Sequence, residues 1–284
     1  MGSFQAVLRA SRPKTWPAGF CPVALGAVLA AREGALSWML VLCSLLFSFF
    51  IQVATNFAND YSDFVNGADN PSRVGPPRAV ASGWITPEGM RTWAFAMFAL
   101  AFAVSLPLVF AAGPWALAFV FSAIAFGILY TGGPRPLGYM GLGEVLVLVY
   151  FGPVAVLGTY FVQRQTVDMS LLALSLCPGL LSAAILTANN LRDEESDRDA
   201  KKNTLVVRWG QMFGQFAYSA FMLLAVVLPM TAGLYWQLGM LPFVMPLLKR
   251  TWSFRSAEEA MPLLPQTALF LLVFTGLMCW EVSR

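Results

Sequence analysis

Two short groups of side chains carry types and spacings that could do chemistry. Asn56, Asn59, Asp60 and Asp63 stand at i, i+3, i+4 and i+7, the spacing that puts side chains on one face of a helix. Asn189, Asp193 and Asp197 repeat the pattern at i, i+4 and i+8 within "NNLRDEESDRD". Carboxylates crowded in this way repel one another unless a cation lies between them. The chain has no histidine, so a metal site must be built from oxygen, and hard oxygen donors suit Mg2+, which commonly bridges a few carboxylates to substrate phosphates. Basic residues follow each stripe: Arg73 and Arg78 after the first, Arg198, Lys201 and Lys202 after the second. Cations there would hold phosphate oxygens through charge-assisted hydrogen bonds. Asp60, Asp63, Asp193 and Asp197 thus read as the catalytic and metal-binding core of a two-part Mg2+-diphosphate clamp.

The elements that must position this clamp lie in a membrane. Hydrophobic residues make up 58% of the 284 and charged residues 12%, and the mean hydropathy is +0.66, far from a soluble domain. Runs of about twenty apolar residues can cross a bilayer as helices, and the alternation of a barrel strand is absent. Nine spans are expected, centred near Val23, Leu46, Phe102, Phe121, Leu148, Leu180, Leu224, Leu238 and Leu271. The first contains Pro17 and Pro22, which interrupt the apolar core that a cleaved leader needs. With the N-terminus in the cytoplasm, every Lys and Arg except Arg32, Arg164 and Arg284 falls in an inner segment, as the positive-inside rule requires. The expected fold class is an all-α integral membrane protein: one polytopic domain over residues 1–284, nine helices bundled around a central cavity, and the active site at the cytoplasmic face. The two stripes sit at the inner ends of even-numbered spans, which suggests an internal pseudo-repeat at 56–69 and 189–199. Cys21, Cys43, Cys177 and Cys279 lie in or beside spans with no CxxC pair and read as apolar fillers. The pattern calls for lipid around the chain and for no nucleic-acid partner.

Longer blocks carry a resemblance. "RPKTWPAGFCPVALG", "NFANDYSDFVNGADNPSRVGPPRAVASGWI", "YTGGPRPLGYMGLGE", "FGPVAVLGTY" and "NNLRDEESDRDAKKNTLVVRWG" resemble the UbiA-type intramembrane aromatic prenyltransferases, most closely the naphthoate-type members of menaquinone synthesis. The resemblance implies a helical bundle in the inner (cytoplasmic) membrane, Mg2+ as cofactor, and two Asp motifs that hold the diphosphate of a polyprenyl donor. On this sequence those motifs are Asn59, Asp60 and Asp63, and Asp193 and Asp197. The superfamily pattern expects another Asp four residues after Asp63. Gly67 stands there and Asp69 follows two later, an ending that the naphthoate-type members share and that weakens Asp69 as a direct ligand.

The implied reaction moves the polyprenyl group to 1,4-dihydroxy-2-naphthoate, with loss of CO2 and diphosphate, to give demethylmenaquinol. Homogentisate or 4-hydroxybenzoate are the alternative acceptors, and a cation-binding transporter is the alternative from another class. Asn56, Asn189, Tyr130, Arg12, Lys14 and Glu144 are the candidates for holding the acceptor or steadying the allylic cation. Competing accounts stand beside them: Tyr130 as an interfacial belt residue, Glu144 as a helix N-terminal charge, Arg12 and Lys14 as side chains reaching for the interface.

Overall fold

Backbone polar groups inside a bilayer must find partners within their own segment, and this chain meets that demand with helices. The structure, a computed structural model, describes residues 3–69 and 74–284; Arg73 lies outside the described residues. Among the described residues no strand is formed. The order is α1 (Ser3–Ala10), α2 (Trp16–Ala31), α3 (Trp38–Val65), α4 (Pro87–Ala112), α5 (Ala116–Leu129), α6 (Gly143–Val149), α7 (Ala155–Arg164), α8 (Leu172–Arg192), α9 (Glu194–Asp199), α10 (Leu205–Trp209), α11 (Gln211–Val227), α12 (Leu241–Ser253), α13 (Ala257–Ala260) and α14 (Leu263–Val282).

Among the described residues, six helices, taken with the turns that extend them, are long and apolar enough to cross a bilayer: Trp38–Val65, Pro87–Ala112, Gly143–Arg164, Met169–Arg192, Gln211–Ala232 and Ala257–Val282. The chain is therefore a multi-pass membrane protein. Where nine spans are expected, the remaining three places hold shorter helices: α2 with 16 residues, α5 with 14 and α12 with 13. At 1.5 Å per residue these helices alone reach roughly 20–24 Å, short of a hydrocarbon core of about 30 Å before the 3-10 turns that run into α2 and α12 are added. The segment expected around Leu238 is a 3-10 turn, Trp236–Met240, leading into α12.

The helices that carry the two stripes end differently. α3 runs for 28 residues without an interior Gly or Pro, so it passes unbroken through Asn56 and Asp63. α8 stops at Arg192, Asp193 sits outside helical geometry (φ −96°, ψ 11°), and α9 restarts at Glu194. The i→i−4 bonds nevertheless persist across the break, with Asp193 N donating to Asn189 O at 3.0 Å and Asp197 N to Asp193 O at 2.8 Å. The second stripe is bent but keeps its phase.

Packing divides the bundle in two. One core gathers Val53, Phe57, Met90 and Phe98 from α3 and α4 with Ala79 and Val80 of the connection between them. The other gathers Leu25, Leu181, Tyr218, Met222, Phe274 and their neighbours from α2, α8, α11 and α14. α6 and α7 are joined by a π-turn, Tyr150–Val154, around Gly152 and Pro153, the usual kind of cause for such a kink. Gly152 lies against Gly179 of α8, and a Cβ on either would meet the other's backbone. That approach lays α8 along the kinked pair. Residues of α3, α5, α6, α7 and α8 line a cavity of about 1010 Å3.

Candidate active site

The first stripe faces one end of this cavity, and each of its four side chains has a specific partner. Asp60 and Asp63 are both buried at 2% exposure. Asp60 accepts the backbone N–H groups of Ala79 and Val80, each at 3.0 Å. Asp63 accepts from Tyr139 Oη at 2.7 Å and Arg78 Nη2 at 3.0 Å, and Lys202 Nζ lies 3.2 Å away. Asn59 accepts from Thr131 Oγ1 at 2.6 Å. Asn56 donates to Ser11 O at 3.0 Å, and one turn earlier Gln52 donates to Thr15 O. These two amides hold the turn between α1 and α2, which carries Arg12 with a left-handed backbone (φ 53°) into the cavity lining. Asp69 Oδ1 lies 3.5 Å from Arg78 Nε, so it meets the site through that guanidinium.

The second stripe is satisfied closer to home. Arg192 grips its neighbour Asp193 with both arms, Nε to Oδ1 and Nη2 to Oδ2 at 2.6 Å each. The same Nη2 reaches Asn189 Oδ1 at 2.7 Å. Arg192 and Asp193 are each only 6% exposed. Asp197 lies 3.9 Å from Lys202 Nζ. Lys202 therefore sits between the two stripes, close to Asp63 on one side and Asp197 on the other, with its ammonium 4.9 Å from the ring centre of Tyr139. A backbone bond from Asn203 N to Tyr139 O, 2.9 Å, ties the two loops together. Burial, and then the Asp63 carboxylate, push the Tyr139 phenol well above its usual range, so it stays protonated and donating.

The other expected site residues divide plainly. Lys14, Tyr130, Asn56, Asn189, Arg12, Arg78 and Lys202 line the cavity with the four aspartates and Asn59. Glu144 is buried beneath that lining, where Asn190 donates to it at 2.8 Å. Arg198 points away, pairing with Glu194 at 2.7 Å while 59% exposed, and Lys201 is exposed at a left-handed position (φ 57°); neither reaches the lining. Arg73 is outside the described residues. Three participants escaped the spacing argument: Tyr139, Arg192 and Thr131. Each lies in a block that had drawn notice, but a hydrogen bond across 76 residues, as from Tyr139 to Asp63, leaves no local periodicity to read.

The donor set fits Mg2+ by chemistry, being oxygen throughout, and Lys202 already places one positive charge between the stripes. Among the described residues no three His, Cys, Asp or Glu side chains converge tightly enough to hold an ion as they stand. The carboxylates are turned to protein cations and amides instead. Among the described residues Arg78 Nη1 is buried with no hydrogen-bond partner, a donor turned to no other group there.

A charged pole at one end of a long apolar cavity within a membrane bundle is the architecture of an intramembrane enzyme for amphiphilic substrates. The chain belongs to the UbiA prenyltransferase family, whose model matches residues 20–273, and it is accordingly a prenyltransferase. It is 38% identical over 279 residues, 96% of this chain and 95% of the relative, to 1,4-dihydroxy-2-naphthoate octaprenyltransferase of Mycobacterium tuberculosis. It is 40% identical over 214 residues, 73% of this chain and 70% of the relative, to the Escherichia coli protein of the same name. A UbiA homologue from Archaeoglobus fulgidus, solved bound to DMAPP and Mg2+, shares the fold with a TM-score of 0.64 at 16% identity, over 98% of each chain.

Proposed function

We propose that this enzyme transfers a polyprenyl group from its diphosphate to 1,4-dihydroxy-2-naphthoate, releasing diphosphate and CO2 and forming demethylmenaquinol. One observation carries the reading: four buried carboxylates and the cations Arg78, Arg192 and Lys202 gather at one end of a cavity whose remaining wall is largely apolar. The relatives' names supply the acceptor. Asp60, Asp63, Asp193, Asp197 and Asn59 would hold Mg2+, which when bound supplies the positive charge that offsets the departing diphosphate.

The chain's own groups then divide the work. Arg78, Lys202 and Arg192 stabilise the phosphate oxygens as the allylic C–O bond breaks and its electron pair leaves with the diphosphate. The apolar wall excludes water, which would otherwise capture the allylic cation. Tyr130, on that wall, presents its ring to the positive charge. Arg12 and Lys14 meet the acceptor carboxylate and orient the ring, whose carbon forms the new C–C bond. The carboxyl on that carbon departs as CO2, and its bonding pair returns to the ring. Around this chemistry we place nine crossing segments, the N-terminus in the cytoplasm and the charged pole at the inner face of the cytoplasmic membrane, on the strength of the Lys and Arg bias.

The test is an assay of purified protein with Mg2+, polyprenyl diphosphates and three acceptors: dihydroxynaphthoate, homogentisate and 4-hydroxybenzoate. The expected product is the decarboxylated prenyl naphthoquinol, identified by mass. Prenylation of either other acceptor in preference overturns the assignment of substrate. Asp60→Ala turning over like the parent overturns the assignment of the site.

A further inference from the structure

The start of α6 supports two polar side chains of the cavity wall from behind. Gly143 backs Tyr130: a Cβ there would come within 2.9 Å of the Tyr130 hydroxyl, so a residue without a side chain lets the ring lie where it does. Glu144, the next residue, takes Asn190 of α8, whose Nδ2 donates to Glu144 Oε1 at 2.8 Å. Glu144 and Asn190 are 4% and 6% exposed. Asn190 lines the cavity with Tyr130, and Glu144 stands behind it. A carboxylate oxygen accepts and does not donate, which fixes how the amide is turned: Nδ2 to the wall, Oδ1 to the lumen. Among the described residues no donor reaches that Oδ1. An amide oxygen left unpaired once water is expelled costs free energy, so its donor must come with a substrate. The ionised diphosphate and the isoprenoid tail carry no N–H or O–H. A dihydroxynaphthoate carries two hydroxyls. The one beside the carboxylate hydrogen-bonds to it within the molecule, and the one at carbon 4, across the ring, is free to donate.

We propose that Asn190 Oδ1 accepts the hydrogen bond of the acceptor's 4-hydroxyl, and that Glu144 is the positioning residue that keeps the amide turned toward it. This rests on the prenyl-transfer reading above, in which Arg12 and Lys14 meet the carboxylate. The acceptor is then held at two points by different parts of the chain, the turn before α2 and the last turn of α8. Tyr130 and Asn190 are backed by consecutive residues of α6, so the anchor of the hydroxyl stands near the ring that meets the allylic cation. A site built around a substrate hydroxyl rejects the analogue without it, because its own polar group is left unpaired. Asn190 thereby makes the 4-hydroxyl a condition of tight acceptor binding.

The experiment compares two ligands in four proteins. The whole chain, as the parent and as Asn190→Leu, Glu144→Leu and Glu144→Gln, is assayed with Mg2+, a polyprenyl diphosphate and 1,4-dihydroxy-2-naphthoate for the acceptor KM. The inhibition constant of 1-hydroxy-2-naphthoate, which lacks the 4-hydroxyl, is measured as a competitor in each. The parent is expected to bind the dihydroxy compound better. In Asn190→Leu the acceptor KM rises by about threefold to tenfold, the worth of one neutral hydrogen bond, while the inhibition constant and the donor KM move less. Glu144→Leu shifts the acceptor KM the same way because the amide is free to turn, and Glu144→Gln, whose Oε1 can take the same Nδ2, brings it back toward the parent. A parent that binds both ligands equally, or an Asn190→Leu that weakens both alike or neither, overturns the hydroxyl contact and leaves the transferase reading intact. A rise in donor KM alone gives the oxygen to the water shell of the metal and overturns the contact as well. Glu144→Gln no better than Glu144→Leu overturns the positioning role. If Asn190→Leu does not fold, the parent's preference and the Glu144 pair decide; if Glu144→Leu also fails to fold, the two residues serve the fold and the proposal falls. A parent that prenylates nothing overturns the transferase reading itself and this contact with it.

Discussion

The two acidic stripes share a composition but are held in opposite ways. Asp60 and Asp63 bind groups far along the chain: the backbone of Ala79 and Val80, the guanidinium of Arg78, the phenol of Tyr139 and the ammonium of Lys202. Asp193 binds the residue beside it, and that residue's guanidinium also takes Asn189 from the preceding turn. The first stripe is a hub that gathers loops from three places around an unbroken helix. The second is a self-contained unit at a helix break. A hub must keep its geometry for the loops to stay in place. A self-contained unit can change partner without moving the rest, which suits it to receive a ligand.

Removing one carboxylate from each stripe should break the comparison most sharply. Asp60→Ala leaves two buried N–H groups without acceptors, at about 1–3 kcal/mol each. The expected outcome is loss of activity by about 10²–10³-fold or more, with amide hydrogen exchange at Ala79 and Val80 faster by about tenfold or more. Asp193→Ala should lose activity on the same scale while exchange at Ala79 and Val80 stays at the parent rate, because none of its contacts reaches that loop. Equal loosening of the 79–80 segment in both variants would show that the two stripes are one mechanical unit.

Lys202 is where the two regions meet, and its removal tests whether the charge between them matters. Lys202→Met leaves Asp63 and Asp197 without the cation between them. The variant is expected to melt lower than the parent by about 1–3 kcal/mol in stability and to regain more of it than the parent does on adding Mg2+, since any cation binding only the folded state stabilises it. A melting temperature equally insensitive to Mg2+ in both proteins would remove the case for an ion between the stripes.

How much of this was legible in the sequence follows the same division. The helical class and the one-face spacing of Asn59, Asp60 and Asp63 were readable because they are local and periodic, and α3 has nothing in it to interrupt the period. The break at Asp193 was not, because no Gly or Pro marks it. Lys202 and Arg78 were singled out by closeness in sequence to the stripes, and so were Arg198 and Lys201, which the structure leaves at the surface. Chain proximity does not say which side of a short helix a base takes: α9 turns Arg198 outward to Glu194, whereas the turn after it carries Lys202 inward. Tyr139 was invisible for the opposite reason, since its acceptor is on another helix. The ends of the apolar runs were not legible either: α2, α5 and α12 span 16, 14 and 13 residues, fewer than the runs of about twenty that suggest a span.

Tyr139→Phe should have a smaller effect, and its pH dependence tests the hub directly. The phenol's hydrogen bond to a carboxylate contributes about 1.5–3 kcal/mol, so the variant is expected to be less stable at neutral pH by that order. Because burial and Asp63 raise the Tyr139 pKa in the folded protein, the native state keeps its proton where the unfolded chain loses it. That stability is fully present below the ordinary tyrosine value of about 10 and falls as pH rises above it. The melting temperature of the parent should therefore decline more steeply above that pH than that of the variant, by up to about one proton's worth of linkage. Parallel declines would mean that Tyr139 ionises as freely in the folded protein as in the unfolded chain.

The smallest effects belong at the exposed end of the second region. Arg198→Ala breaks a surface pair whose worth is about 0.2–1 kcal/mol, and Lys201→Ala removes a charge that reaches no wall of the cavity. Turnover and the donor KM in both should stay within about threefold of the parent, the kinetic equivalent of that energy. A larger rise in donor KM in either variant would mean that α9 and the turn after it rotate when the diphosphate binds, carrying these bases inward. The self-contained stripe would then be a moving part, and the difference between the two regions would be one of mobility as well as wiring.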